Sequence, residues 1–158
     1  MKKSTLLFVV GATLLLTSAL GCDAIKDDLS QYSKTAVPVY NSYSEKFAAK
    51  LDEASKTSSP EEFLAKNKEG IALLDEFRGK MEAFKPETKE VQDLNQSCIA
   101  ALTSMEEGSK QLGEAIEKHD HALAQAAQAK ISDAAKADEK FRADLTALEE
   151  KHHVQVKP

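Results

Sequence analysis

The sequence predicts an all-α protein that folds as an antiparallel four-helix up-down-up-down bundle. After residue 22, apolar residues recur at steps of three and four along nearly the whole chain, the spacing of one face of an α-helix. No stretch alternates apolar and polar residues as a strand would, and no Asn-Gly hairpin or glycine-rich loop occurs. Four long amphipathic segments with short connections pack most simply with neighbouring helices antiparallel.

The first apolar stripe begins at Ile25 and is interrupted by Pro38. A proline inside a helix removes one hydrogen bond and clashes with the carbonyl group four residues earlier, here that of Lys34. We therefore expect a kink or a fresh start of the helix near Val37. The alternative architecture is a three-helix bundle in which residues 23–37 form a separate leash.

The later connections carry residues that start and stop helices. Ser59 is suited to be an N-cap and Pro60 to be the first residue of helix two. Residues 85–88 end that helix and start helix three, and Asp120 is suited to cap helix four. Helix four is rich in alanine, which favours helix and permits close approach to a neighbour. The three stripes are Phe63, Asn67, Ile71, Leu74, Phe77, Met81 and Phe84; Val91, Leu94, Cys98, Leu102, Met105, Leu112 and Ile116; and Leu123, Ala127, Ile131, Ala134, Phe141, Leu145 and Leu148.

The amino-terminal segment has the layout of a secretory signal peptide. Lys2 and Lys3 precede a short apolar run over residues 6–16, and small residues lead to Gly21 and Cys22. The apolar run is too short for a comfortable membrane span. Ending on Gly-Cys, the segment resembles the bacterial lipoprotein signal. The resemblance implies cleavage before Cys22, a thioether-linked diacylglycerol on its sulfur and acylation, for example with palmitate, of the new amino group.

This reading divides the chain into three parts. Residues 1–21 are the signal peptide and are removed, residues 22–151 form a single helical-bundle domain, and residues 152–158 form a flexible tail. Two or more acyl chains suffice for stable anchoring, so the lipid on Cys22 would hold the domain on a membrane of the cell envelope, facing the periplasm. Asp23 resembles the inner-membrane retention signal of lipoprotein sorting, which favours the inner membrane and leaves the outer one open.

The mature chain is acidic. Loss of Lys2 and Lys3 with the signal changes the formal net charge from −5 to −7. An acidic surface without a basic cluster repels phosphate backbones, so nucleic acid is not an expected partner. Because Cys22 carries the lipid, Cys98 has no intramolecular disulfide partner, and its place on an apolar stripe predicts a buried core thiol.

The histidines are the candidate metal ligands. His119 and His121 flank Asp120 in a turn, yet no further Cys or His is near, so they are weak candidates and no metal site is assigned. From His121 to His152 is about 46 Å along a helix, which excludes one site made by all histidines. The two Glu-x-x-His spacings over residues 149–153 occur on one helix end, whereas di-iron bundles need that motif on two helices.

Two other motifs have simpler structural explanations. Met81 and His152 at one bundle end are similar to the methionine and histidine ligation of b-type cytochrome bundles, but the stripes leave no obvious gap for a haem, so Met81 is assigned to the core. The segment from Gly108 to Gly113 has the glycine spacing of a phosphate-binding loop, but the Lys-Ser/Thr pair and the preceding strand of that loop are absent. The two glycines are expected to permit close helix contact or to weaken helix three locally.

The pattern as a whole resembles the small, acidic, all-helical envelope lipoproteins of Gram-negative bacteria. That resemblance implies a location in the cell envelope but no activity. Our first hypothesis is a non-enzymatic, lipid-anchored module that acts structurally or binds another envelope protein through a helix face or groove. We expect an apolar or aromatic surface patch around Tyr32, Tyr40 and Tyr43. The alternative is a periplasmic bundle that binds a small ligand such as metal or haem. No nucleophile, base and oxyanion site converge in the sequence, so neither catalysis nor a cofactor is predicted.

Overall fold

The chain folds into four long helices and contains no strand between residues 18 and 154. The computed structural model describes the backbone of residues 18–154 and the side chains of residues 23–154. Helix α1 spans Ser18–Ser55, α2 spans Pro60–Ala83, α3 spans Lys89–Lys118 and α4 spans His121–Lys151. The helices share one apolar core and pack as a bundle, which confirms the all-α prediction. Among the described residues, no helix combines the length and apolar composition that a membrane crossing requires.

The predicted helix starts of α2 and α4 are confirmed. The Ser59 hydroxyl accepts a hydrogen bond from the Glu62 amide, and Pro60 occupies the first turn. The Asp120 carboxylate accepts from the Leu123 amide at 3.0 Å. Only two residues separate α3 from α4, because His119 adopts a left-handed φ of 53° and the Asp120 amide donates back to the Ala115 carbonyl.

Helix α3 is capped by a residue of α1. The side chain of Thr88, its N-cap, makes no capping hydrogen bond. Asp28 instead accepts from the amides of Glu87 and Thr88 at 3.0 and 2.7 Å, and from the Thr88 hydroxyl at 2.7 Å. The negative carboxylate also complements the positive end of the helix dipole. This contact fastens the early part of α1 to the connection between α2 and α3.

Helix α1 continues through Pro38, so the expected fresh start at that point is wrong. The residues before the proline are packed against the bundle, since Leu29, Tyr32 and Ala36 are 0%, 3% and 0% exposed. Their burial stabilises the helix against the local loss of one hydrogen bond. The alternative in which residues 23–37 form a separate leash is therefore also wrong.

Small residues set the distances between helices. A Cβ added at Gly108 would lie 2.8 Å from Ile131 Cγ1 and 3.2 Å from its backbone nitrogen, so α3 and α4 meet almost backbone to backbone. At Gly113 the added atom would lie 3.0 Å from Asn67 Nδ2 of α2. Both glycines thus permit close helix contact, as predicted. Helix α4 packs extensively on α3, whereas its backbone makes almost no close approach to α1.

The segment after α4 lies against the bundle as far as it is described. His152 is 9% exposed, and Val154 packs against the hydrophobic core. The beginning of the segment that we expected to be a flexible tail is therefore packed. Residues 155–158 lie outside the described part of the chain, as do residues 1–17, which form most of the predicted signal peptide.

Candidate functional site

The open side of the bundle is an apolar groove between α1 and α4, referred to below as the α1/α4 groove. It consists of two adjoining clefts of about 370 Å³ each, which share Phe47, Leu51 and Met105. From Ser44 to Ser55 the groove follows α1 for about 16 Å, at 1.5 Å per helical residue. This length corresponds to about three helical turns.

Both helices line the groove with large and small side chains. Phe47 and Leu51 are the large apolar residues on α1, and on α4 the small residues Ser132 and Ala135 lie beside Ile131 and the charged Glu139. Met105 of α3 lies between them at the bottom. Leu51 is 53% exposed, and it is the large hydrophobic residue that stands out as exposed among the described residues. The groove therefore presents apolar surface to the outside instead of burying it between the helices.

One end of the groove is closed by a polar cluster on an aromatic ring. The Tyr40 hydroxyl donates to Asp138 at 2.5 Å and accepts from Arg142 Nε at 2.7 Å. The Arg142 guanidinium also lies 5.2 Å from the centre of the Tyr40 ring. Burial, followed by the hydrogen bond to Asp138, raises the pKa of Tyr40. The cluster links α1 to α4 across the gap between their backbones.

Four charges on α1 and α2 beside the groove neutralise one another. Lys50 of α1 contacts Glu69 and Glu53 at 2.9 and 3.0 Å, and Lys66 of α2 contacts the same two carboxylates at 3.3 and 3.2 Å. Hydrogen bonds from the lysines lower the pKa values of Glu53 and Glu69. These charged groups thus satisfy each other and leave the apolar surface of the groove as its main feature.

The histidine candidates are not joined by further ligands. His119 and His121 are both exposed, at the turn between α3 and α4. Within residues 23–154, no group of three or more His, Cys, Asp or Glu side chains is placed to hold a metal ion. Near the carboxyl end of α4, Glu149 accepts a hydrogen bond from Ser33, and the buried Nε2 of His152 has no hydrogen-bond partner among the described residues.

The three tyrosines belong to the core, so the predicted aromatic surface patch is wrong. Tyr32, Tyr40 and Tyr43 are 3%, 3% and 9% exposed. The Tyr32 hydroxyl donates to Asn95, whose amide in turn donates to the Met81 carbonyl, at 3.0 and 3.1 Å. Their spacing along α1 is that of the core stripe itself, which leaves no surplus face for a partner.

Cys98 and Met81 are core residues, as predicted. Both are fully buried, and burial raises the pKa of the Cys98 thiol to about 12. The backbone of Cys22 lies in α1, and its side chain, the predicted lipidation site, is outside the described residues. Asp23, next to it, is exposed.

The described residues define the class of this protein as an all-α bundle with an apolar groove on one side. No family model, curated protein or solved structure matches the chain. The groove is the feature that sequence reasoning missed. The sequence feature that indicates the groove is the presence of small residues on α4, such as Ser132 and Ala135, at the same height along the bundle as Phe47 and Leu51 on α1. Small side chains cannot fill a wide gap between two helices.

Proposed function

We propose that the chain is a lipid-anchored, non-enzymatic interaction module of the bacterial cell envelope, and that the α1/α4 groove is its binding surface. The apolar groove carries the proposal. Apolar area that remains exposed on a folded protein is typical of surfaces that bind a partner. Exclusion of water from this area would supply the main driving force for association. The anchor at Cys22 and the periplasmic location rest on the signal layout of residues 1–22.

The chemistry of the groove supports binding more than catalysis. Its walls and bottom carry mainly apolar or small side chains. Of the charged side chains that line it, Lys50, Lys66, Asp138 and Arg142 are in ion pairs, whereas the exposed Glu139 makes none among the described residues. Catalysis of acyl or proton transfer needs a nucleophile or base directed at a substrate. An apolar groove about three turns long is instead suited to a helix that presents apolar residues at steps of three and four.

The proposal includes the up-down-up-down arrangement of the helices. Contacts of Ser33 with Glu149 and of Tyr40 with Asp138 support an antiparallel pairing of α1 and α4. Cys22 would then lie at the end of the bundle that faces the membrane. Ser44, where the groove begins, is about 33 Å further along α1. A partner in the periplasm could therefore reach the groove without contacting the lipid surface.

Metabolic labelling tests the anchor. Cells that express the full chain are grown with an alkyne-tagged palmitate analogue, and label and membrane fractionation are compared with those of a Cys22→Ser variant. We expect the wild-type chain to carry the label and to remain with membranes in high salt, and the variant to lose both properties. An unlabelled wild-type chain, or a variant that is labelled equally, would contradict the lipid anchor.

Site-specific crosslinking tests the groove. A photoreactive amino acid replaces Ala135 in the groove or Ala100 on the exposed face of α3, in the full chain in intact cells. We expect a discrete adduct from position 135 and none from position 100. The same adduct from both positions would indicate nonspecific contact, and the absence of any adduct from position 135 would remove the groove as a binding surface.

The competing hypothesis, a carrier of metal or haem, makes a different prediction. The purified full chain would then show a visible absorption band or stoichiometric metal. Replacement of both His119 and His121 by alanine would remove a metal held at the α3–α4 turn. We expect no change in metal content from that replacement, because the two histidines are exposed and lack a third ligand among the described residues.

A further inference from the structure

We infer that the occupant of the α1/α4 groove is a second copy of this chain, in a two-fold symmetric dimer in which Leu51 of each copy inserts into the groove of the other. This inference rests on the proposed function of the groove as a binding surface and names the partner. Its basis is that a protruding apolar side chain and an apolar cleft lie next to each other on one surface.

The arrangement of Leu51 and the groove is self-complementary. A two-fold interface brings the same patch of both copies together, so each patch must carry both the inserting group and the site that receives it. Leu51 is 53% exposed at the edge of both clefts, and the small residues Ser132 and Ala135 lie on the opposite wall. In the dimer, Leu51 of one copy would fill the space above these small residues of the other.

A two-fold axis parallel to the helices fixes the register. Each residue then keeps its height along the bundle, so α1 of one copy lies along α4 of the other. The ring of Tyr40 lies 5.0 Å from that of Phe141, and Leu51 and Ile131 line one cleft, which defines the heights of α1 relative to α4. Counted from these pairs, Glu45 on α1 and Lys136 on α4 are at the same height.

Opposite charges meet at that height. The helical period places Glu45 on the outer edge of α1 and Lys136 on the outer edge of α4, and both residues are exposed. Lys136 pairs with Asp133 of its own helix, and Glu45 makes no ion pair with any described residue. The symmetric dimer would bring Glu45 of each copy to Lys136 of the other, twice. The charge pattern thus favours the same register as the insertion of Leu51.

The parallel axis also agrees with the lipid anchor. Both copies would present Cys22 at the same end, so both lipids could enter one membrane without strain. An antiparallel pairing would place the two anchors at opposite ends of the dimer. Attachment to one surface also raises the effective concentration of one copy near another, which favours an interface of modest size.

Disulfide trapping in intact cells tests the dimer. Two differently tagged full chains are co-expressed, one with Leu51→Cys and one with Ser132→Cys, and a mild oxidant is added. The control pair replaces Ser132→Cys by Ala100→Cys, which is exposed on α3 away from the groove. Cys98 is buried and does not interfere. We expect a mixed-tag adduct of twice the chain mass from the Leu51/Ser132 pair and little from the control pair.

Charge reversal tests the register. In the Leu51/Ser132 pair, Glu45→Lys in both chains should lower the yield of adduct about twofold to fivefold, as expected for surface ion pairs. Adding Lys136→Glu should restore the yield. A yield that is unchanged by Glu45→Lys, or not restored by the double exchange, overturns the register described here.

The outcomes separate this inference from the proposed function. If position 135 crosslinks to a different envelope protein and the Leu51/Ser132 pair gives no self-adduct, the groove is a binding surface but the second copy is not its occupant. Equal adducts from the groove pair and the Ala100 control overturn the dimer as random collision. If neither crosslinking experiment gives an adduct, both the dimer and the proposed groove function fall.

Discussion

The gap between α1 and α4 is filled by side chains in one half of the bundle and left open in the other. Around Tyr40, the gap between α1 and α4 is bridged by two aromatic rings: that of Phe141 on α4 lies 5.0 Å from that of Tyr40 on α1. We call the part of the bundle around these rings the closed half. Beyond Ser44 the same two helices face each other across the groove, and Phe47 and Met105 remain partly exposed. We call this part the open half.

The difference follows from side-chain size and not from hydrophobicity. Gly108 lets α4 approach α3 closely. In the closed half, Phe141 on α4 is large enough to reach the side chains of α1. In the open half, Ser132 and Ala135 of α4 are too small to span the gap, and the larger Ile131 packs beside Gly108 of α3. The sequence therefore retains a groove at a cost in buried apolar area, which is consistent with use of the groove for binding.

The largest expected effect distinguishes two phenylalanines. Phe141→Ala should lower the free energy of unfolding by about 3–5 kcal/mol, because Phe141 is fully buried among Tyr40 and other core residues. Phe47→Ala removes the same atoms from the open half, where solvent already has access, and should cost about 1–2 kcal/mol. Urea titrations of both variants measure the difference. Equal losses would mean that the groove closes in solution.

Two glycines provide the next test. Gly108→Ala should lower stability by about 1–3 kcal/mol, because the new methyl group would overlap Ile131 and push α4 away from α3. Gly79→Ala in α2 is the matched control. Its added methyl group meets no atom within 4 Å, so the gain in helix propensity should raise stability by about 0.8–1 kcal/mol. Opposite shifts of Tm are expected, and shifts of the same sign would contradict this account.

The contrast between the halves also shows which features could be predicted from the sequence and which could not. Hydrophobic period and capping residues predicted the helices, including the starts at Ser59 and Asp120, because these signals are local. The groove is not local, since it depends on which helix contacts Gly108 and on the distance that remains to α1. The error on Tyr32, Tyr40 and Tyr43 has a different origin, because their period fits the core stripe of α1 and the local pattern therefore already indicated burial.

The Asp28 contact is a second case in which sequence distance hides the partner. Asp28 caps the connection before α3 from about 60 positions earlier in the chain. Nothing in the local pattern distinguishes its carboxylate from the exposed one of Asp27 beside it. Only the arrangement of helices determines that Asp28 meets two amides and a hydroxyl group, so this cap could not have been predicted from the sequence.

An intermediate effect is expected at Glu106, which joins α2 to α3. Glu106 is 7% exposed, accepts from Lys110 and contacts Arg78 Nε at 3.2 Å. The hydrogen bond from Lys110, with that from Arg78, lowers the pKa of Glu106. Its contribution is therefore present above the unfolded-state pKa and is lost as the pH falls through the lower folded-state value. Glu106→Gln should cost about 1.5 kcal/mol at pH 7.

The pH dependence distinguishes this network from surface pairs. Glu106→Gln should lose less stability than the wild type between pH 7 and acid pH, as measured by urea unfolding at each pH. Asp93→Asn removes an exposed pair with Lys89, and its stability should stay within about 0.5 kcal/mol of the wild type at pH 7. If Asp93→Asn changes the acid profile as much as Glu106→Gln does, burial of Glu106 is not the cause of its effect.

The smallest effect on stability is expected for Leu51→Cys. Its rate of reaction with a thiol reagent, compared with that of Cys98, probes the two halves most directly. In a chain with Cys22→Ser, Cys98 is the remaining thiol, and it is buried in the core with its pKa raised to about 12. A thiol reagent at pH 8 should therefore modify it only as the protein unfolds. At a dilution at which the unanchored chain is monomeric, Leu51→Cys adds an exposed thiol at the groove that changes stability by about 0.5 kcal/mol or less and should react at once. The order of the two rates tests the comparison directly, because a closed groove would protect position 51 and a loose core would expose position 98.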